Sequence, residues 1–311
     1  MRILLATDFS AYADTARSLV KSMPLPQGSR IRIVHAIEPV TTVAIFGPAL
    51  LTINDAAERE AKALVKQTAS LLNADGVEVD GIVGLGRAAD VILDEATDFK
   101  PDLIVVGSRG RGGISTAVLG SVSAELVDRA PCPVMVARSN RLRTIVLAED
   151  GSPSTIAGAN AIVDLPAFAS CAVRVVSVVD AAFPVVLADP GLPATAVEAF
   201  RAYQDSLPEL RASHAALARE RAAVLSRHGI KATWEQREGH AAGELLAVAA
   251  EQHADCIAIG SRGQTGLRRF VLGSVARSVL FHAPCSVLIA HAQPAAERRS
   301  NDASEHFALR A

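Results

Sequence analysis

The sequence has few of the residues that disulfide frameworks and metal sites require. Its 311 residues include four cysteines, with no CxxC pair and no cysteine–histidine cluster of zinc-site spacing. We therefore expect no bound structural metal, and we interpret the four cysteines as buried thiols in a reducing compartment. These residues are Cys132, Cys171, Cys256 and Cys285.

The chain also lacks a strong charge of either sign and a long apolar run. Lys and Arg total 31 against 33 Asp and Glu, a net charge of −2, which argues against general nucleic-acid binding. The longest uncharged stretch of the first half, Pro39–Asn54, is interrupted by Gly47 and Pro48 and is too short to span a membrane. Met1–Thr7 is too short for a signal peptide. We expect a soluble, cytoplasmic protein without a membrane partner.

Several catalytic motifs are missing. The sequence contains no Walker phosphate loop, no Gly-x-Ser-x-Gly elbow and no metal-binding histidine pair. His35, His240 and His253 are isolated, and isolated histidines are more often surface or core residues than catalytic ones. The sequence therefore predicts no catalytic residue and excludes a Walker-type NTPase.

An internal repeat determines the predicted organisation. Arg2–Asp8 recurs 142 residues later as Thr144–Asp150, and Arg32–Ile37 recurs at the same distance as Arg174–Val179. A glycine-rich segment recurs after 153 residues, so the second copy has 11 more residues before it. Half of all residues are hydrophobic, which lets each copy bury its own core.

Apolar runs and helix-period segments alternate within each copy. The predicted helices of the first copy are one capped by Ser10 and ending at Lys21, one capped by Asn54, Ala88–Phe99, and Ser121–Arg129. The predicted strands are Ile3–Thr7, Ile31–Ile37, Val77–Val83, Leu103–Val106 and Val134–Ala137. Alternation of this kind predicts an α/β fold of two tandem doubly wound domains, each with a five-stranded parallel sheet and helices on both faces.

The expected domains are residues 1–138 and 143–292, followed by a loose tail, 293–311. Two connections after second strands, Pro39–Asn54 and Ala181–Leu210, are unusually long and contain proline. Long connections in compact α/β domains are often functional. We therefore interpret both as mobile covers or partner surfaces.

The strongest functional signal is a glycine-rich turn between the fourth strand and the fourth helix. Both copies read Gly, two residues, Gly, nine residues, Gly-Ser, and nine of fifteen positions are identical. Backbone N–H groups of such a turn, together with a helix N-terminus, can bind phosphate. The alternative is a tight turn that requires positive φ and binds nothing.

An aspartate ends the first strand of each copy, Asp8 and Asp150. Ligands of doubly wound sheets lie at the carboxyl ends of strands, where the winding reverses. If the first and fourth strands are neighbours, the carboxylate and the glycine turn face one crevice. The alternative is that each aspartate is the N-cap of the helix that follows.

A second glycine pattern, Gly84–Ala89, is close to a dinucleotide fingerprint. It follows the third strand rather than the first, and the second copy keeps only one of its glycines. We interpret Gly86 and Gly239 as tight strand–helix turns.

With these motifs the chain resembles tandem universal stress proteins. The resemblance covers both copies and implies the strand order 3-2-1-4-5, a nucleotide where the order reverses, and dimerisation through fifth strands. It implies ATP as the ligand, and we expect Mg²⁺ as its counter-ion. Glycines and a serine would hold ribose and phosphates, the first-strand residues would face adenosine, and one second-strand residue would line the adenine pocket. These residues are Thr7, Asp8, Ala36, Gly107, Gly110, Gly120 and Ser121 in the first copy, and Glu149, Asp150, Val178, Gly260, Gly263, Gly273 and Ser274 in the second.

Two departures distinguish the copies. Glu149 replaces the threonine and would place an extra acid near an anionic ligand, and Arg268 and Arg269 replace Thr116 and Ala117. The two sites are therefore expected to differ in affinity.

Three functions remain open at this point. The first is an ATP-binding stress-response regulator whose nucleotide state changes association with an unidentified protein partner or with itself, built as an intramolecular pseudo-dimer that could also form a homodimer. The second is a slow ATPase or phosphotransferase, for which no positioned base is found. The third is a structural dimer with vestigial sites.

Overall fold

The computed structural model describes residues 1–38, 43–110, 119–180, 194–263 and 272–291. Strands and helices alternate through both copies, as the repeat predicts. The first copy contains β1 (Arg2–Ala6), α1 (Ala11–Ser22), β2 (Ser29–Ile37), α2 (Val43–Leu72), β3 (Val77–Leu85), α3 (Ala88–Phe99), β4 (Leu103–Gly107), α4 (Ser121–Arg129) and β5 (Val134–Ala137).

The second copy repeats this order and adds a short 3₁₀ turn, Pro166–Phe168, after its first helix. Its elements are β6 (Thr144–Ala148), α5 (Pro153–Asp164), β7 (Ala172–Val179), α6 (Ala194–Arg227), β8 (Lys231–Glu238), α7 (Ala241–Glu251), β9 (Cys256–Gly260), α8 (Ser274–His282) and β10 (Ser286–Ala290). The α/β fold with two repeats is confirmed.

All ten strands form one sheet in the order β3-β2-β1-β4-β5-β10-β9-β6-β7-β8. Pairing is parallel within each copy, and both copies show the expected order 3-2-1-4-5. The copies meet through β5 and β10, which pair antiparallel with Met135 opposite Leu288. The expected contact between fifth strands is thus present as direct strand pairing, which gives the edge strand of each copy a hydrogen-bonding partner.

Side chains at the ends of β5 and β10 strengthen this junction. Ser286 Oγ accepts hydrogen bonds from the backbone N–H groups of Arg138 and Ser139, both at 3.1 Å. The Arg138 guanidinium donates from Nη2 to the Leu280 carbonyl at 2.5 Å, and burial lowers its pKa. The two copies are therefore tied by backbone, hydroxyl and guanidinium contacts.

Each central strand is buried on both faces. In β1, Ile3 and Leu5 pack on one side of the sheet, while Leu4 and Ala6 pack on the other. Both layers continue through the junction, because Leu288 joins the first and Val287 joins the second. Full burial of one such aliphatic side chain contributes about 1.5–3 kcal/mol, so a continuous apolar run in the sequence suffices to specify these strands.

The starts of α1 and α2 test the two N-cap residues predicted from the sequence. Ser10 is the N-cap of α1, and its Oγ accepts a hydrogen bond from Ala13 N, as expected. The prediction that Asn54 caps the second helix is wrong, because α2 begins at Val43 and Asn54 lies inside it. Asparagine costs less than about 1 kcal/mol inside a helix, so neighbouring residues with better propensity carry the helix through it.

The two long connections are largely helical. Residues 43–54 belong to α2 and residues 194–210 belong to α6, which continues through Pro208. A helix can serve as a cover or as a partner surface, so that interpretation stays a prediction for both stretches. Residues 39–42 and 181–193 lie outside the described residues, as does the predicted tail.

The expected glycine turns are confirmed, and the expected burial of the cysteines holds for three of the four. Gly86 and Gly239 both have a φ of 139°, a conformation that L residues rarely adopt, so they form the tight turns before α3 and α7. All four cysteines are free; Cys171, Cys256 and Cys285 are buried, whereas Cys132 is only partly buried. Burial raises the pKa of the Cys132 thiol to about 12 and that of Cys285 to about 11, which disfavours the reactive thiolate.

The junction generates a stability prediction. Ser286→Ala removes the acceptor of two backbone N–H groups, and leaving a buried donor unpaired costs about 1–3 kcal/mol. We expect the free energy of unfolding, measured by urea denaturation, to fall by that amount. Ser70→Ala, on the exposed face of α2, serves as the control. An equal, negligible effect of both substitutions would contradict this account of the junction.

Candidate functional site

The two sites lie where the strand order reverses. In the first copy, β1 and β4 pair directly, so Asp8 after β1 and Gly107 at the end of β4 lie at the same edge of the sheet. The corresponding strands of the second copy, β6 and β9, pair in the same way and place Asp150 beside Gly260. The first and fourth strands are therefore neighbours in both copies, as the crevice inferred from the sequence requires.

A cavity opens at each of these positions. The first is about 510 Å³ and is lined by all seven residues predicted for that copy: Thr7, Asp8, Ala36, Gly107, Gly110, Gly120 and Ser121. The second is about 610 Å³ and is lined by Glu149, Asp150, Val178, Gly260, Gly263, Gly273 and Ser274, again the full predicted set. Both volumes suit a small organic ligand.

Apolar side chains that the motifs do not mark form the walls of the cavities. Val34 and Ile92 line the first, and Val176 and Leu245 line the second. They come from the second strand and from the third helix of each copy, and they belong to the same buried layer. Strand alternation could have identified the strand residues, since Val34 and Ala36 lie two positions apart on one face.

A helix N-terminus closes one side of each cavity. Gly120 is the N-cap of α4 and Gly273 is the N-cap of α8, and neither can provide a side-chain cap. Because glycine has no side chain, neither N-cap residue offers a side-chain acceptor to the first-turn N–H groups of its helix. The N–H of Gly120 donates to Ser108 O at 2.9 Å, which folds the loop back on the helix start.

The loop glycines are required by close approach rather than by positive φ. None of the six described motif glycines has positive φ, so the positive φ that the alternative assumes is absent. A Cβ at Gly107 would lie 2.7 Å from the Tyr12 carbonyl carbon, and one at Gly260 would lie 2.6 Å from that of Ser154. A Cβ at Gly110 would lie 2.7 Å from Asp8 Oδ2. The glycines let the helix after the first strand and its aspartate pack against the loop.

Each aspartate orders the turn after its strand. Asp8 Oδ1 accepts from Ser10 N at 3.1 Å and from Ser10 Oγ at 2.6 Å. Asp150 Oδ1 accepts from Ser152 N at 2.9 Å. The N-caps themselves are Ser10 and Ser152, so the interpretation of the aspartates as N-caps is wrong. Both carboxylates instead support the cap and line a cavity.

The extra acid of the second copy is neutralised within the protein. Glu149 Oε1 accepts from Gly151 N at 2.7 Å, the same turn contact that Thr7 Oγ1 makes with Phe9 N at 3.1 Å. Its other oxygen pairs with Arg221 Nε of α6 at 2.5 Å, and the carboxylate side chain is only 1% exposed. Glu149 therefore places an extra acid at the cavity, as expected, and Arg221 compensates its charge.

His35 lines the first cavity and was not predicted from the sequence to do so. Its Nδ1 lies 2.8 Å from the Thr7 carbonyl oxygen, and its ring centroid lies 4.5 Å from that of Phe9. Phe9 has a φ of 59°, which is rare for an aromatic residue. Ser177 occupies the corresponding position of the second copy and contacts His214 Nδ1 at 2.9 Å. The two cavities therefore have different polar surroundings.

An arginine from each glycine loop, Arg109 or Arg262, also lines its cavity. Both lie in an identical Gly-Ser-Arg-Gly sequence, the signal that could have identified them. Ser115, Thr116, Ala117, Arg268 and Arg269 fall outside the described residues.

Among the residues that the structure describes, no group of three or more His, Cys, Asp and Glu side chains is placed to hold a metal ion. No helix among them is long and apolar enough to cross a bilayer.

Comparison with known proteins identifies the family of both copies. The model of the "Universal stress protein family" matches the chain twice, at residues 1–138 and 141–291. A universal stress protein from Thermus aquaticus is 37% identical over 137 residues, which are 44% of this chain and 97% of that protein. A universal stress protein from Mycobacterium tuberculosis (strain H37Rv) is 30% identical over 208 residues, covering 61% of this chain and 62% of that protein.

Among solved structures, a universal stress protein from Archaeoglobus fulgidus DSM 4304 superposes with a TM-score of 0.64 at 19% identity. The match covers 94% of this chain and 98% of that one, which shows a shared fold across both copies. Because the family model accounts for both halves of the sequence, the chain belongs to the universal stress protein family and contains its domain twice.

Proposed function

We propose that this protein is an ATP-binding stress-response regulator that binds a nucleotide in each copy. One observation carries the proposal: in both copies, seven residues chosen from a motif line one cavity where the strand order reverses. Each cavity combines apolar walls, a carboxylate and a helix N-terminus. That combination suits a molecule with a flat apolar end and an anionic end.

The chemistry of the lining supports a direction for the nucleotide. Adenine would lie against the second strand, beside Ala36 or Val178, where the wall is apolar. The phosphates would lie at the N-termini of α4 and α8, where backbone donors and the helix dipole favour negative charge. Ser121 and Ser274 add a hydroxyl at that end.

The residues present fit Mg²⁺ as a partner of the phosphates rather than as a metal held by the protein. Magnesium in nucleotide sites is commonly bound by one or two carboxylates together with phosphate oxygens and water. By resemblance Asp8 and Asp150 face adenosine, and no group of three or more potential metal ligands exists among the described residues, so phosphate oxygens and water would hold the ion. Bound Mg²⁺ would neutralise phosphate charge.

Regulation would act through surfaces other than the fifth strands. Those strands already pair with each other inside the chain, so their edges are not open to a second molecule. A nucleotide-dependent contact with an unidentified protein, or with another copy of this chain, would use the outer strands β3 and β8 or the helices around the cavities. The function of the whole protein therefore depends on which of these surfaces responds to nucleotide.

The alternative function, a slow ATPase or phosphotransferase, would use the same cavities. Phosphoryl transfer needs an oriented nucleophile and a group that accepts its proton. Asp8 and Asp150 are engaged with serines of the following turn, and by resemblance they face adenosine. This arrangement favours binding over turnover.

The duplicated loops generate a binding prediction. Gly120→Val and Gly273→Val each place a branched side chain at the helix start, where the phosphates would approach. We expect calorimetry to show two ATP sites per wild-type chain, one in each single variant and none in the double variant, with affinity at the altered site at least about tenfold weaker.

Gly158→Ala provides the control for that experiment. Gly158 lies in α5, and an added Cβ would only reach ordinary contact, 3.6 Å from Leu147. This variant should bind like the wild type, and circular dichroism should show that all the variants are folded. Unchanged ATP binding by a folded double variant would show that the loops are not the site.

A second prediction concerns turnover. A site that only binds should release phosphate more slowly than about 1 s⁻¹ at saturating ATP, the low end of ordinary enzyme rates. Asp8→Asn with Asp150→Asn should leave that rate low. Faster turnover that is lost in the glycine double variant would establish the enzyme alternative.

A further inference from the structure

The loop arginine of the first copy is anchored by a tyrosine. Arg109 Nη1 donates to the Tyr12 hydroxyl at 2.8 Å, and the guanidinium carbon lies 4.7 Å from the centre of the Tyr12 ring. A hydrogen bond and a cation–π contact together fix the position of the guanidinium. Arg109 would have to break these contacts to reach a different position in the cavity.

Ser154 occupies the place of Tyr12 in the second copy. The two residues are 142 positions apart, and each lies against the first glycine of its loop, Tyr12 beside Gly107 and Ser154 beside Gly260. They are therefore equivalent in space as well as in sequence. A serine has no ring and is too short to anchor a guanidinium in the same way.

The second arginine is correspondingly less satisfied. Arg262 Nε is buried, and it has no hydrogen-bond partner among the residues that the structure describes. Ser152 Oγ donates to the Arg262 carbonyl at 3.3 Å, which fixes the backbone and leaves the side chain unaffected. A buried N–H without an acceptor is unfavourable, and an anionic oxygen is the acceptor that a guanidinium prefers.

Two acids, Glu149 and Asp150, line the same cavity as Arg262. Glu149 is paired with Arg221, and Asp150 Oδ1 accepts a hydrogen bond from Ser152 N. The pKa of His291 is lowered mainly by burial and then by the positive charge of Arg262. Both effects favour the neutral form of this histidine. Arg262 therefore adds positive charge to a cavity wall on which Arg221 of α6 already neutralises Glu149.

We propose that Arg262 binds phosphate in the second cavity and makes that cavity the more selective for nucleoside triphosphates, whereas Tyr12 withholds Arg109 from the same role in the first. This inference rests on the proposed function, that both cavities bind adenine nucleotides. It predicts that the two cavities differ in ligand selectivity. The second cavity discriminates strongly between ATP and AMP, and the first depends more on the adenosine part of the ligand.

The test compares the two cavities one at a time. Gly273→Val leaves only the first cavity competent, and Gly120→Val leaves only the second. Dissociation constants for ATP, AMP and adenosine would be measured by calorimetry in each background. We expect the ratio of the AMP constant to the ATP constant to be about tenfold larger at the second cavity, the effect of one charged hydrogen bond.

Substitutions in each background test the cause. In the second cavity, Arg262→Gln should lower the ratio by about tenfold and leave adenosine binding unchanged. Arg277→Gln removes the same charge from an exposed position of α8 and should change the ratio less than about twofold. In the first cavity, Tyr12→Ser should raise the ratio toward that of the second.

Each outcome decides the inference. Equal ratios in the two cavities, or equal effects of Arg262→Gln on ATP and adenosine, would overturn it while leaving the proposed function in place. Absence of adenine-nucleotide binding in both backgrounds and in the wild type would overturn the proposed function and this inference together. The reverse substitution, Ser154→Tyr, is unsuitable as a test because Ser154 is buried and a tyrosine at this position would disturb the packing.

Discussion

The pairing of the first strand with the fourth in each copy is the contact on which both candidate sites depend. It brings the residues after β1 and β4 to one sheet edge although about one hundred residues separate them. The helix after the first strand then packs so closely on the end of the fourth that a Cβ at Gly107 or Gly260 would meet its backbone. One close contact thus places the aspartate, the glycine turn and the helix N-terminus around a single cavity.

The second constraint is the shared sheet. A domain of this order ends in an open fifth strand, and the antiparallel pairing of β5 with β10 satisfies both open edges inside one chain. The buried layers on the two faces of the sheet continue across this pairing. The two cavities therefore lie in one continuous scaffold, which fixes their separation and leaves other surfaces for partners.

Small changes at equivalent positions give the two cavities different chemistry. Thr7 and Glu149 form the same turn hydrogen bond, but the glutamate also requires Arg221 from α6. Tyr12 anchors Arg109 in the first copy, whereas its equivalent Ser154 is too short to anchor Arg262 in the second. These differences leave the backbone intact because the turns and glycines that shape it are duplicated. A repeat can in this way keep its architecture while its two sites diverge in ligand preference.

The sequence by itself determined the repeat and the alternation of strands and helices, because apolar runs, cap residues and glycine spacing act locally. With the resemblance that its glycine motif supports, it also identified seven of the residues that line each cavity. It did not reveal that α2 begins before Asn54, since helix propensity there is decided by neighbours. Only the tertiary structure decided where side-chain charges go: Glu149 meets Arg221, 72 residues away, and Arg109 meets Tyr12. Those pairings arise when distant elements pack together, and no short-range pattern encodes them.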